Sequence, residues 1–226
     1  MSPTTATHVG DPWLQVPATW GTYLRLVRDR GGRGRPKYTF CDGRLTIVSP
    51  GFDHESLKVS VGGLIDDVLV GLRIPHRGAG ETRYLKKGCG RAGTEPDLSY
   101  YLSNLARLLG KKRLVIGEDP PPDLMVEIVA THPLGDSLEI YSRFRVPEVW
   151  VCASSGIDFL VLGPDGRYAT SAASACLPFL SAAELSRWAY RLDLPDDSEL
   201  RHQFRSWVTE TLVPRRAQRP EPDGDA

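Results

Sequence analysis

Two carboxylates in this sequence lie within stretches that have the composition of buried β-strands. Asp97 belongs to the segment TEPDLSYY (residues 94–101), and Glu127 belongs to PDLMVEIV (residues 122–129). A carboxylate in a buried strand costs free energy unless a cation or hydrogen bonds compensate its charge. If the two strands are neighbours, both carboxylates can bind one divalent ion, as in many metal-dependent phosphodiesterases. The alternative is a structural role, in which the two acids are paired with arginines.

The local sequence around each acid favours a role at a site. Glu127 stands in the middle of its strand, among apolar residues. Asp97 follows Pro96, and because proline cannot donate a hydrogen bond to a sheet, it predicts a strand start, an edge or a bulge. Such irregularities often direct a side chain toward a site. Asp123 lies on the same face as Glu127 but about 13 Å further back, so we interpret it as the start of the strand.

Residues near the start of a predicted helix at 53–72 give further candidates. Helical phase places His54 near the apolar stripe of this helix, where a histidine usually has a structural role. Glu55 points mostly away from the stripe, which is typical of an exposed acid in the first turn of a helix. His132 follows the Glu127 strand, and it is either a loop residue or a neighbour of the metal.

The other patterns predict an α/β (α+β) fold in which helices flank a mixed β-sheet. The Asp42-Gly43 pair between two β-rich runs predicts a hairpin. Periodicity predicts helices at 17–30, 53–72, 134–145, 181–188 and 199–212, with later strands at 148–152 and 157–162. We therefore expect a flexible leader (1–16), one main domain (17–193), a C-terminal amphipathic helix (194–213) and a disordered tail (214–226).

Composition narrows the class of protein. Lys and Arg number 28, as do Asp and Glu, so the balance of charge does not indicate a strongly basic nucleic-acid binder. The four cysteines are widely spaced and form no C-x-x-C pair, which disfavours a zinc ribbon and fits reduced thiols. Neither a signal-peptide pattern nor an apolar run of about 20 residues is visible. We expect a cytoplasmic protein with no membrane segment.

Three segments together resemble a known family. They are Glu95-Pro96-Asp97, then PPDLMVE (residues 121–127), then IYSRFRVPEVW (residues 140–150). This arrangement is similar to the bacterial Uma family of restriction endonuclease-like proteins, in the PD-(D/E)xK nuclease-like superfamily. The resemblance extends from the helix near Trp20 to about Trp188. The VPEVW run after a tyrosine-bearing helix is its most distinctive part.

The resemblance implies a restriction-endonuclease-like core and an endonuclease that hydrolyses DNA. Asp97 would match the aspartate of the superfamily's Pro-Asp, and Glu127 its second acid. Both would bind Mg²⁺, with Mn²⁺ as an alternative, and Glu55 would be the further acid that many members carry. The resemblance leaves a homodimer open.

The superfamily's lysine is absent from the positions where the resemblance would place it. Two residues after the second acid stands Val129, and the displaced position on the following helix is Ser137. Lys87, or its neighbour Lys86, precedes the Asp97 strand and is our predicted substitute in catalysis. The alternative function is a catalytically inactive nuclease-fold module that binds nucleic acid or a protein partner.

Overall fold

The computed structural model describes residues 11–31, 33–80, 82–86, 90–111, 114, 118–129, 134–191 and 193–218. The strands of this part are β1 (Trp13–Pro17), β2 (Lys37–Cys41), β3 (Arg44–Val48), β4 (Arg77–Gly78), β5 (Tyr84–Lys86), β6 (Ala92–Thr94), β7 (Leu98–Tyr101), β8 (Leu124–Val129), β9 (Glu148–Ala153), β10 (Gly156–Leu162) and β11 (Tyr168–Ser171). The helices are α1 (Trp20–Arg30), α2 (Phe52–Gly71), α3 (Gly135–Phe144), α4 (Ala182–Ala189), α5 (Asp197–Trp207) and α6 (Val213–Ala217), with a 3₁₀ helix at Ser103–Leu108 and a π-helix at Val208–Leu212.

The described strands form two sheets, one of which is the mixed sheet that the sequence predicted. The first, here called the hairpin sheet, has the order β1-β3-β2-β6-β5 and is antiparallel throughout. The second, the central sheet, has the order β11-β10-β9-β8-β7-β4 and contains one parallel pair, β8 with β9. The α/β class and the flanking helices are as expected, but the strands divide between two layers.

The division falls at the proline that precedes Asp97. Strand β6 belongs to the hairpin sheet and β7 to the central sheet, so Glu95, Pro96 and Asp97 form the crossing between them. Because proline cannot join a ladder, it suits the residue at which the chain leaves one sheet for the other. The predicted hairpin is also present, with positive φ at both Asp42 and Gly43, as a tight two-residue turn requires.

The two faces of β8 bury different side chains. Leu124, Val126 and Ile128 belong to a core cluster that includes much of α2, while Met125 packs with α3 residues such as Ile140 and Tyr141. Alternation therefore places Glu127, like Met125, on the face toward α3. Helix α3 also packs with Cys41 and Ala92 of the hairpin sheet, so Glu127 lies in the layer between the two sheets.

Both ends of the domain differ from the sequence prediction. Residues 13–16 of the expected leader belong to β1, which pairs with β3 along its length. Residues 214–217 of the expected tail are helical in α6, where Arg215 forms an ion pair with Glu184 at 2.9 Å and Arg216 donates to the Leu72 carbonyl. Residues 1–10 and 219–226 lie outside the described part.

The C-terminal helices complete the main core instead of forming a separate unit after residue 193. Their buried residues Leu200, Phe204, Val208 and Leu212 belong to the same cluster as the α2 side chains. Asp67 of α2 is buried and binds Arg201 and Arg205 of α5. None of the described helices combines the length and apolar composition that a membrane span requires.

Candidate metal centre

Asp97 is buried where the chain crosses between the sheets, and each of its oxygens has a partner. Oδ1 accepts from Lys37 Nζ at 2.6 Å and lies 2.9 Å from His54 Nε2, and Oδ2 accepts from the Ile128 backbone N–H at 2.9 Å. The side chain is only 1% exposed. Burial by itself would raise the pKa of Asp97, but Lys37 and His54 outweigh burial and hold it well below its usual range.

Glu127 lies beside Asp97 in the antiparallel β7–β8 pair. The register pairs Leu98 with Val126, which sets Asp97, just before β7, across from Glu127. The Tyr141 hydroxyl of α3 donates to Glu127 Oε1. Burial raises the pKa of Glu127 to about 7, and Asp97 contributes in the same direction, against the opposing effects of Lys37 and Tyr141. The register and the hydrogen bond from the Ile128 N–H to Asp97 therefore place the two acids next to each other.

Lys37 is the cation of this site, and sequence reasoning missed it. It begins β2 of the hairpin sheet, 60 residues before Asp97 along the chain. Its side chain is 11% exposed. Alternation puts Tyr38 and Phe40 on the face of β2 that packs with α1, so Lys37 and Thr39 lie on the opposite face, toward the central sheet. A hairpin strand with alternating polar and apolar residues is expected to expose its polar face to solvent. Nothing in the neighbouring sequence shows that the central sheet covers the polar face of β2.

His54 approaches the acids, whereas Glu55 turns elsewhere. His54 Nδ1 lies 2.6 Å from Asp11 Oδ2, and Asp11 Oδ1 accepts from the Gly51 backbone N–H at 2.8 Å. Asp11 therefore ties the start of α2 to the segment before β1, a contact that the expected flexible leader did not suggest. Glu55 forms ion pairs with Arg35 at 3.1 Å and Lys58 at 2.6 Å. Its predicted role as a metal ligand remains a prediction.

A small pocket opens beside Lys37, His54 and Glu127. Its lining comes from the hairpin sheet, α2, the sheet crossing, β8 and α3: Lys37, Thr39, Thr46, Val48, His54, Glu95, Glu127, Asp136 and Ser137. Glu95 is held by two arginines, Arg30 at 2.5 Å and Arg83 at 2.8 Å. Ser137, the displaced lysine position, faces this pocket.

The donor set fits a hard divalent cation. Carboxylate oxygens are the ligands that Mg²⁺ prefers, and a polar pocket beside them leaves space for water. The raised pKa of Glu127 fits as well, because an anion that is unfavourable next to Asp97 becomes favourable when a divalent cation binds both. Asp97 and Glu127 would hold such an ion.

The other predicted or alternative groups either have different contacts or lie outside the described part of the chain. Lys87 and His132 are outside the described residues. Asp123 accepts hydrogen bonds from the Leu102 and Asn104 backbone N–H groups, so it caps the 3₁₀ turn. Within the described part of the chain, Cys41, Asp136 and Glu139 form one further group with metal-ligand spacing, but Arg44 and Arg143 already compensate its acids.

Comparison with known proteins identifies the family of this chain. The family model Uma2, described as "Putative restriction endonuclease", matches residues 20–194. A crystal structure from Anabaena variabilis ATCC 29413, described as a putative nuclease belonging to DUF820, is similar at 17% sequence identity with a TM-score of 0.49. The similarity covers 85% of this chain and 99% of that one. No curated protein matches at a significant level. Because the family model spans most of the chain, including both acids and the helix between β8 and β9, the chain belongs to the Uma2 family of restriction endonuclease-like proteins.

Proposed function

We propose that this protein is a Mg²⁺-dependent endonuclease that hydrolyses DNA phosphodiesters, with Mn²⁺ as an alternative ion. Membership of the Uma2 family supports a nuclease-like function and the use of a divalent metal in general. The observation that carries the finer proposal is that Glu127 and Lys37 line one pocket, and that Lys37 binds Asp97, which lies opposite Glu127 in the β7–β8 pair. These are the two acids and the cation that phosphodiester hydrolysis at a metal site needs.

Each group has a distinct role in this proposal. A bound Mg²⁺ would polarise the phosphodiester and make a water molecule a better nucleophile. Asp97 and Glu127 would hold the ion, while the Tyr141 hydroxyl fixes the orientation of Glu127. Lys37 would stabilise the negative charge that develops on the phosphate oxygens, in place of a lysine at Val129 or Ser137. His54 and Asp11 would keep Asp97 in position through their chain of hydrogen bonds.

Cleavage of supercoiled plasmid and of linear duplex and single-stranded DNA with Mg²⁺ or Mn²⁺ tests the proposal. Glu127→Gln should abolish cleavage, and Lys37→Met should reduce it at least about 100-fold, the usual effect of removing a group that stabilises transition-state charge. Lys86→Met tests the alternative cation predicted from the sequence and serves as the matched comparison; it should leave cleavage unchanged, since Lys86 lies on β5 at the far edge of the hairpin sheet. Glu139→Gln, on the exposed side of α3, is the control for loss of an acid.

The alternative is a nuclease-fold module that binds nucleic acid or a protein partner without cutting. The absence of lysine at positions 129 and 137, and the fact that Lys37 and His54 already compensate Asp97, favour it. Calorimetry separates the two functions. Binding of Mg²⁺ or Mn²⁺ that Glu127→Gln abolishes supports the metal site. A wild-type protein that binds neither ion and cuts no DNA would leave only the binding module.

A further inference from the structure

We propose that the substrate of this site is an unpaired stretch of nucleic acid, whose bases stack on two exposed aromatic residues, Trp13 and Phe52, at the rim of the pocket. The inference rests on the proposed function, because it names the substrate class of that site. It follows from the position of the two rings and from the depth of the acids.

Trp13 belongs to a row of residues that leads into the site. In the hairpin sheet it pairs with Val48 of β3, and Val48 pairs with Lys37 of β2. Directly opposed residues of antiparallel strands point to the same face, so Trp13 shares the face on which Val48 and Lys37 line the pocket. Trp13 nevertheless remains 43% exposed at the sheet edge.

The distance along this row suits a short run of nucleotides. Two strand spacings separate Trp13 from Lys37, which is about 10 Å. Stacked nucleotides rise about 3.4 Å each, so two or three of them span the row. A base on Trp13 would therefore leave a phosphate of the same strand at the Lys37 end.

Phe52 is a second exposed ring, on a segment next to that of Trp13. It is the first residue of α2 and is 84% exposed, although a phenylalanine ordinarily gains from burial. It comes two residues before His54, which lines the pocket, and next to Gly51, whose backbone binds Asp11. The Asp11–Trp13 segment runs beside residues 48–51, since the Ser49 N–H donates to the Pro12 carbonyl at 3.0 Å. The two rings thus belong to segments that lie next to each other.

The depth of the acids favours a flexible strand over a duplex. Asp97 is 1% and Glu127 5% exposed, so a phosphodiester must enter the pocket to reach them. Duplex DNA is stiff, with a persistence length of about 150 base pairs, and its bases are already stacked on one another. An unpaired strand can bend into the pocket and gains stacking on an aromatic ring, which tolerates any base.

Binding of a short fluorescein-labelled DNA strand and of the same sequence as a blunt duplex, measured by anisotropy, tests the inference. The Glu127→Gln protein in EDTA prevents cleavage during the measurement. We expect the single strand to bind at least about tenfold tighter than the duplex. Trp13→Ala and Phe52→Ala should each weaken single-strand binding at least about fivefold. Trp13→Phe should retain most of the affinity, because it keeps a stacking face.

Val70→Ala is the matched control, since Val70 is an exposed apolar residue on the same helix as Phe52 but near its far end. It should bind DNA like the parent protein. Equal or tighter binding of duplex, or unchanged single-strand binding by both alanine variants, would overturn the inference. So would a loss of self-association in those variants by size-exclusion chromatography, because the rings would then be a contact between two copies of the chain.

Cleavage assays on the wild-type background separate this inference from the proposed function. If single strands bind through Trp13 and Phe52 but are not cleaved in Mg²⁺ or Mn²⁺, the proposed endonuclease function is wrong and the proposed single-strand binding surface stands. If duplex DNA is cleaved and Trp13→Ala leaves that cleavage unchanged, the proposed endonuclease function stands and the proposed single-strand binding surface is wrong. Preferential cleavage of single strands that both alanine variants reduce supports the two together.

Discussion

Replacing Glu127 by glutamine should stabilise the protein at alkaline pH while it removes a ligand of the proposed metal site. Glu127 is buried beside Asp97 and accepts a hydrogen bond from the Tyr141 hydroxyl. Burial, together with Asp97, raises the pKa of Glu127 from an ordinary 4.5 to about 7. The amide of glutamine is neutral at every pH, and its oxygen can still accept from Tyr141.

The sign of the pH dependence follows from proton binding. Between pH 4.5 and 7 the folded protein keeps the Glu127 proton while the unfolded chain has lost it, so the free energy of unfolding decreases as pH rises. A pKa that moves from 4.5 to about 7 corresponds to about 3 kcal/mol. This stabilisation is fully present below pH 4.5 and lost above pH 7. The glutamine variant has no such group, so it should be more stable than wild type by up to about 3 kcal/mol at pH 8.

Urea unfolding of both proteins at several pH values, in EDTA, measures this difference. Groups other than Glu127 are common to both proteins, so their contributions cancel in the comparison. Saturating Mg²⁺ at pH 8 should stabilise wild type and leave the variant unchanged, since the ion binds the ionised carboxylate. A variant whose stability relative to wild type is the same at pH 5 and pH 8 would refute the reasoning, because Glu127 would then ionise as readily in the folded protein as in the unfolded chain.

Three further predictions follow from neighbouring contacts. Asp97→Ala should lower the free energy of unfolding by about 3–5 kcal/mol in a urea titration, because it removes the carboxylate that compensates the buried Lys37 ammonium. Ser137→Lys, added to Lys37→Met, should restore part of the DNA cleavage that Lys37→Met loses, since Ser137 lines the same pocket; no recovery would contradict the assignment of Lys37. Deletion of residues 214–226 should cost about 1 kcal/mol by thermal unfolding through loss of the partly exposed Arg215 ion pair.

Local patterns were sufficient to predict most elements of the fold. The Asp42-Gly43 turn, the α2 helix and the β8 strand all arise from neighbouring residues, whose spacing and backbone preferences act over a few positions. The strand start near Pro96 was predicted for the same reason. The alternation of side chains along β8, which puts Glu127 and Val126 on opposite faces, also follows from one strand alone. The core clusters confirm that the two faces of β8 pack against different elements.

The groups that the sequence did not predict are held by contacts between distant segments. Asp11 stands in a stretch without periodicity, yet it binds His54, 43 residues later. Lys37 reaches Asp97 over 60 residues, from a different sheet. A single sequence carries no signal for such pairs, because alternation in β2 gives the same polar face whether water or another layer covers it. Residues 13–16 and 214–217 were misassigned for a related reason, since their order comes from pairing with β3 and from ion pairs.

In the proposed site, the cation comes from a different sheet than the strand that carries Glu127. A lysine at Val129 would extend from the same strand as Glu127, and one at Ser137 would extend from the helix that follows. Lys37 comes instead from the hairpin sheet, and its ammonium lies 2.6 Å from Asp97. A cation acts on the site through its distance from the reacting charge and not through its place in the sequence. The crossing at Pro96 is what brings the two sheets together at this point. A substitution that altered how the hairpin sheet packs against the central sheet would therefore impair the proposed site even if Asp97, Glu127 and Lys37 were all retained.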